Sequence, residues 1–187
     1  IPGLRASRPW TNREVTSAKE VPGSLAIMGG GVVGVEMATA YAGFGTKITL
    51  FARGTLLGGN EPFAGEMVGH GLEELGAHIR LGVEATSVHR EGSKVTIELD
   101  DGSTIIADEL LVSTGRSPRT KGLGLEAFDL RHGAGADSRW IEGDWIAVDD
   151  TMRVPGIDWL YAVGDVNHRA LLTHQGKYQA RVAGDVI

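Results

Sequence analysis

The 187-residue chain has no cysteine, which excludes a disulfide, a thiolate metal site or a redox dithiol within these residues. It has no excess of base either. Its 18 Lys and Arg stand against 24 Asp and Glu, a net charge of −6 spread without long runs, so the footprint of a phosphate-backbone binder is missing and nucleic acid is not an expected partner. No segment recurs at a period of 20 to 50 residues. There is no H-E-x-x-H, G-x-S-x-G or Walker loop, so no metal site is expected, and His70, His78, His89 and His132 read as surface or internally satisfied side chains. The acid pairs Asp100-Asp101 and Asp149-Asp150 read as turns. The chain opens Ile1-Pro2-Gly3 without a basic-then-apolar leader, so no signal peptide is visible, the stretch reads as an excised piece, and a cytoplasmic location is expected. No uncharged run of membrane length exists: Leu25 to Gly45 comes nearest, but Glu36 at its middle would cost about 2.5–3.5 kcal/mol in a bilayer, and no membrane partner is expected.

Glycine, by contrast, is abundant: 28 residues, about twice the usual ~7%. Its most informative cluster lies in Leu25 to Glu36, LAIMGGGVVGVE, where an apolar strand runs into Gly29-Gly30-Gly31-Val32-Val33-Gly34 and an apolar helix follows. In a G-x-G-x-x-G turn Gly29 permits the bend, Gly31 lets the backbone approach a pyrophosphate, and Gly34 lets helix and strand pack closely. The phosphates then sit on the helix N-terminus, held by unpaired amides, those of Val32 and Val33 among them, and by the positive end of the helix dipole. A dinucleotide is the expected ligand.

The rest of the chain supports an α/β fold with a Rossmann-like unit. Residues 1–19 read as a connector punctuated by Pro2 and Pro9. A helix from Val32 to Ala42 stops at Gly43-Phe44-Gly45, and Lys47 to Phe51 supplies the second strand of a βαβ unit. Glu61 to Leu75 reads as a helix and His78 to Leu81 as a strand. A β-meander follows over Thr86–Arg90, Lys94–Leu99 and Thr104–Ala107, before Glu109 to Ser113 returns to the core. Arg116 to Gly143 lacks periodicity, with Gly133, Gly135 and Asp137 as its expected mobile tip. Trp145–Val148 and Trp159–Val163 read as strands, and Thr173 to Val182 as the closing helix.

Three separated motifs then coincide: GGGVVGVEMA at Gly29, STGRSP at Ser113 and YAVGDVNHRALLTHQGKYQA at Tyr161. Together they resemble the flavoprotein pyridine nucleotide-disulfide oxidoreductases, the family of glutathione reductase and lipoamide dehydrogenase. The resemblance implies an NAD(P)-binding domain over residues 20–113 and, over 114–187, the returning C-terminal part of an FAD-binding domain. It implies an internal piece of a longer protein: the half that grips the FAD adenylate and normally carries the redox cysteines would precede Ile1, and the interface domain of a homodimeric parent would follow Ile187. The chain alone is then expected to be inactive, with no catalytic residue of its own.

Site residues follow from the same resemblance. NAD-using members place an acid where Ala52 stands, and glutathione reductase-like members place an arginine where Arg53 stands, so NADP is favoured over NAD, although Gly58-Gly59 replaces the second arginine of the phosphate clamp. Glu36 matches the acid that pairs with a flavin-side lysine. Asp165, after Gly164, matches the acceptor of the ribityl chain, and Thr173 and His174 match the helix start facing the flavin pyrimidine ring. Gly115 and Arg116 of the TGRSP segment fall near the cofactor crevice. The implied activity is transfer of hydride from NAD(P)H to FAD and on to a disulfide, quinone or other acceptor. A cysteine-free flavin reductase of the ferredoxin-reductase type and a nucleotide-sensing module without turnover stay open as alternatives; Asp165 and the Thr173–His174 segment favour an enzyme, since a sensor has no use for flavin-facing groups.

Overall fold

The computed structural model describes residues 1–127 and 145–187, which divide into two compact units, Ile1–Gly115 and Arg116–Ile187. The expected loop tip at Gly133, Gly135 and Asp137, and His132, lie outside the described residues.

The first unit is a four-stranded parallel sheet with a three-stranded antiparallel excursion. Strands β1 (Ser24–Met28), β2 (Lys47–Ala52), β3 (His78–Leu81) and β7 (Glu109–Val112) lie in the order β3-β2-β1-β7. Helix α2 (Val32–Gly43) crosses from β1 to β2, and α3 (Pro62–Glu74) from β2 to β3. The meander β4 (Ala85–Glu91), β5 (Lys94–Leu99) and β6 (Thr104–Ala107) occupies the connection from β3 to β7. Burial explains the apolar composition of β1, because its two faces serve two cores. Leu25 and Ile27 pack with Val35, Ala38 and Tyr41 of α2, whereas Ala26 and Met28 pack with Val95, Ile97 and Ile105 of the meander. From β1 the chain proceeds to β2 on one side and is joined by β7 on the other. The order therefore reverses beside β1, and in open parallel sheets the crevice outside the carboxyl ends at such a reversal is where ligands bind.

Residues 1–19 carry structure of their own. A six-residue helix α1 (Asn12–Ser17) starts on a capping box, Glu14 accepting from the Thr11 amide at 2.8 Å and Thr11 Oγ1 from the Arg13 amide at 3.3 Å. The Thr11 hydroxyl also donates to the Glu14 carboxylate, and that bond, followed by the one from the Thr11 amide, lowers the Glu14 pKa. Trp10 closes the free edge of β7 by donating to the Leu110 carbonyl and accepting from Val112. The Tyr41 hydroxyl donates to the Val15 carbonyl at 2.7 Å and ties α1 to α2; burial raises its pKa.

In the second unit the expected strands at Trp145–Val148 and Trp159–Val163 do not form. Among the described residues the pairing there amounts to isolated bridges, that of Arg153 with Tyr161 and a bridge at Trp145. The apolar residues there, Ile146, Val154 and Ala162, are buried in a small core of loops. The Ile146 and Ala162 amides donate singly to the Val166 and Met152 carbonyls, and between the two runs the Asp149 carboxylate takes the amides of Thr151 and Arg153, so the backbone there closes as turns rather than as a ladder. Helix α4 (Thr173–Gly184) ends the unit.

Candidate functional site

The turn after β1 is held from both sides. The Gly29 amide donates to Phe51 on β2, the Gly30 carbonyl accepts from Leu57, and Ser113 at the end of β7 donates through both its amide and its hydroxyl to the Met28 carbonyl. Gly29 sits at φ +113°, where a side chain is strained, and its missing Cβ would lie 2.6 Å from the Ser113 carbonyl oxygen. At Gly34 a Cβ would lie 2.1 Å from the Gly29 carbonyl oxygen, so α2 can approach the strand end only without one. Gly31 is different. As the N-cap of α2 it has φ −77° and ψ −179°, an extended geometry open to any residue, and a Cβ there would meet no protein atom within 4 Å. Neither backbone strain nor protein packing explains the absence of a side chain at Gly31. The amides of Gly30, Gly31, Val32 and Val33 have no hydrogen-bond partner among the described residues, and no side chain caps the helix. Four unpaired donors, the positive end of a twelve-residue helix and a cleared approach fit the pyrophosphate of a dinucleotide.

One strand over, β2 ends in buried Ala52 and Arg53, whose side chain is 83% exposed. Val83 donates to the Ala52 carbonyl at 3.3 Å and brings the link between β3 and β4 alongside. Glu84 in that link approaches Arg53 Nε at 3.5 Å. Glu36 is exposed on α2 and makes no ion pair among the described residues. The groove lined by Trp10, Glu20, Val21 and Asp108 touches none of the residues of the glycine turn.

The second unit gathers the other expected site residues, apart from Gly115, which ends the first unit at φ +132°. Arg116 Nη1 donates to Asp165 Oδ2 at 2.8 Å and to the Leu171 carbonyl at 2.9 Å, so one guanidinium ties the acid to the chain entering α4. Thr173 and His174 are exposed in the first turn, and their amides have no partner among the described residues. Gly164, at φ +82°, packs against Gly176 of α4, where a Cβ would lie 3.2 Å from the Gly164 Cα. Sequence reading missed what fixes this turn: Gln179 Oε1 accepts from the Gly164 amide at 2.7 Å and from Asn167 Nδ2 at 2.8 Å, while Asn167, fully buried, also donates to the Ala162 carbonyl. Gly176 did leave a trace, because a glycine inside a helix costs about 1 kcal/mol relative to alanine and calls for a packing reason. Asn167 and Gln179 left none.

The family model described as pyridine nucleotide-disulphide oxidoreductase matches residues 1–183. The chain belongs to that family. Pyridine nucleotide-disulphide oxidoreductases use FAD and NAD(P)H. Among curated members, this chain is 37% identical over 173 residues to a dihydrolipoyl dehydrogenase of Staphylococcus aureus, covering 90% of this chain and 35% of that protein. It is 36% identical over 167 residues to a mercuric reductase of Shewanella putrefaciens, covering 88% and 28%, and 33% identical over 180 residues to a glutathione reductase of Burkholderia cepacia, covering 95% and 38%. The chain thus spans between 28% and 38% of the length of these relatives. Among solved structures it resembles the HOCl-induced flavoprotein disulfide reductase of Escherichia coli, with a TM-score of 0.84 at 25% identity, covering 100% of this chain and 41% of that one. LpdA of Mycobacterium tuberculosis gives 0.79 at 27%, covering 96% and 39%. Among the described residues no helix is long and apolar enough to cross a membrane, and no cluster of His, Asp or Glu could hold a metal.

Proposed function

We propose that this chain is the NAD(P)H-binding portion, with part of the FAD-binding portion, of a flavoprotein oxidoreductase that passes reducing equivalents from NAD(P)H through FAD to a disulfide, quinone or other acceptor. The observation that carries the reading is Gly31, whose missing side chain faces open space beside four unpaired amides. Hydride transfer from a nicotinamide to a flavin is the chemistry that the bound groups supply. The chain's own residues bind and orient. The first turn of α2 holds the pyrophosphate, and the Arg53 guanidinium, with both terminal nitrogens uncommitted among the described residues, favours a 2′-phosphate and hence NADPH. Asp165 accepts from a ribityl hydroxyl while Arg116 keeps its carboxylate in place. The unpaired amides of Thr173 and His174 stabilise negative charge on a reduced flavin ring. A cytoplasmic, homodimeric parent completes the proposal, and ultracentrifugation of that parent measures its oligomeric state.

Gly31→Val tests the reading. Valine tolerates the backbone at this position and clashes with no protein atom, so the variant should fold as wild type by circular dichroism yet bind neither nucleotide by calorimetry. A folded Gly31→Val protein with wild-type nucleotide affinity would make the turn structural only.

A further inference from the structure

We propose that Glu84 is a second determinant of cofactor choice, opposing Arg53 at the adenosine end of the nucleotide site and drawing the preference for NADPH down towards that for NADH. The proposal rests on the reading of Gly29–Gly34 as a dinucleotide site.

The tertiary fold, not the neighbouring sequence, delivers this acid. The bond from Val83 to the Ala52 carbonyl sets the β3–β4 link against the end of β2, and Glu84 is then anchored through both its backbone groups: its amide donates to Asp100 Oδ1 at 3.0 Å and its carbonyl accepts from the Asp100 amide at 2.9 Å. Its backbone is therefore held although its side chain is 53% exposed. The carboxylate reaches Arg53 from the Nε side, at 3.5 Å. Nη1 and Nη2 stay available for a bidentate phosphate. A 2′-phosphate on that fork would face the Glu84 carboxylate across a single guanidinium, on the order of 6–7 Å away.

A phosphate monoester carries nearly two negative charges at neutral pH, whereas the ribose hydroxyls of NADH carry none. Through water at that distance, the repulsion weakens NADPH binding about fivefold at about 20 mM salt and about threefold at physiological salt. Asp100, held against the Glu84 amide, adds a second negative group on the same side. No second arginine offsets them, since Gly58 and Gly59 follow. Arg53 and Glu84 thus cancel in formal charge at this corner, where a strict NADPH site needs a positive surplus.

The test is calorimetric titration of NADPH and NADH into wild type, Glu84→Gln and Gly31→Val at about 20 mM and about 150 mM salt. Glu84→Gln should tighten NADPH about fivefold at the lower salt and about threefold at the higher, with NADH changed less than about twofold. An unchanged NADPH-to-NADH ratio at low salt, or weaker NADPH binding, overturns the proposal; the latter would make Glu84 a support for Arg53. If wild type binds neither nucleotide, or Gly31→Val binds as wild type does, the dinucleotide reading falls and this proposal with it. If Gly31→Val abolishes binding and Glu84→Gln leaves the ratio alone, only the role of Glu84 is refuted.

Discussion

Gln179→Met retains the bulk of a buried side chain and removes one oxygen that serves two donors. Gln179 is 4% exposed, and its Oε1 accepts from the Gly164 amide and from Asn167 Nδ2. In the variant the Gly164 amide loses its acceptor, and Asn167, fully buried, keeps the Ala162 carbonyl at 2.9 Å and, as a weak acceptor, Met152 Sδ at 3.8 Å for its two amide hydrogens. A buried donor left unpaired costs about 1–3 kcal/mol, and Gly164 is only half-buried, so the expected loss for the pair is about 2–4 kcal/mol. That is a large share of the ~5–15 kcal/mol that holds a domain together, and it corresponds to a fall in Tm of roughly 5–12 °C. Because the chain has two compact units, a global melt is supplemented by a local probe: hydrogen exchange at the Gly164 amide, which should lose protection in step with the loss in stability. Urea unfolding within about 0.5 kcal/mol of wild type, together with unchanged protection at Gly164, would refute the assignment of this network as what holds the Asp165 turn against α4.

Arg53→Ala should weaken NADPH about ten- to a hundredfold, from the loss of a charged hydrogen bond of about 1.5–3 kcal/mol, and leave NADH nearly unchanged; equal losses for both in parallel titrations would remove Arg53 from cofactor selection. Gly34→Ala drives a Cβ to 2.1 Å from the Gly29 carbonyl oxygen, so it should destabilise the first unit by at least about 1–3 kcal/mol and weaken nucleotide binding with it, measured by urea unfolding and calorimetry. Bonds from Lys94 and then Ser24 hold the Asp108 pKa below the ordinary carboxylate value. Asp108 therefore contributes stability that is full above about pH 4 and lost as pH falls through its lowered folded value. Asp108→Asn should reduce the drop in urea stability below about pH 4, and an unchanged acid limb would show that the bonds from Lys94 and Ser24 are not linked to folding.

The order β1, glycine turn, α2, β2 was legible because its causes are local. The all-apolar Leu25–Met28 run reflects a strand covered on both faces, and the spacing of Gly29, Gly31 and Gly34 reflects a bend, a cleared approach and a close contact made within a few residues. The meander was legible for the same reason, since alternating burial along β5 and the Gly92 and Gly102 turns lie in one short stretch. Trp145–Val148 and Trp159–Val163 misled, because an apolar run records burial and says nothing of whether its backbone donors meet a continuous neighbouring strand or single carbonyls of loops, as those of Ile146 and Ala162 do.

By itself, then, the sequence determined the α/β class, the glycine turn between β1 and α2 and the family, all of which rest on backbone geometry and side-chain period within a window of ten or twenty residues. Only the tertiary structure decided the partners. Arg116 meets Asp165 from 49 residues away, Gln179 reaches back to Gly164, and Glu84 stands beside Arg53. Each contact exists because parallel crossovers and turns bring strand ends and loops from distant parts of the chain together. A charge carries no mark of the loop that the fold will set opposite it.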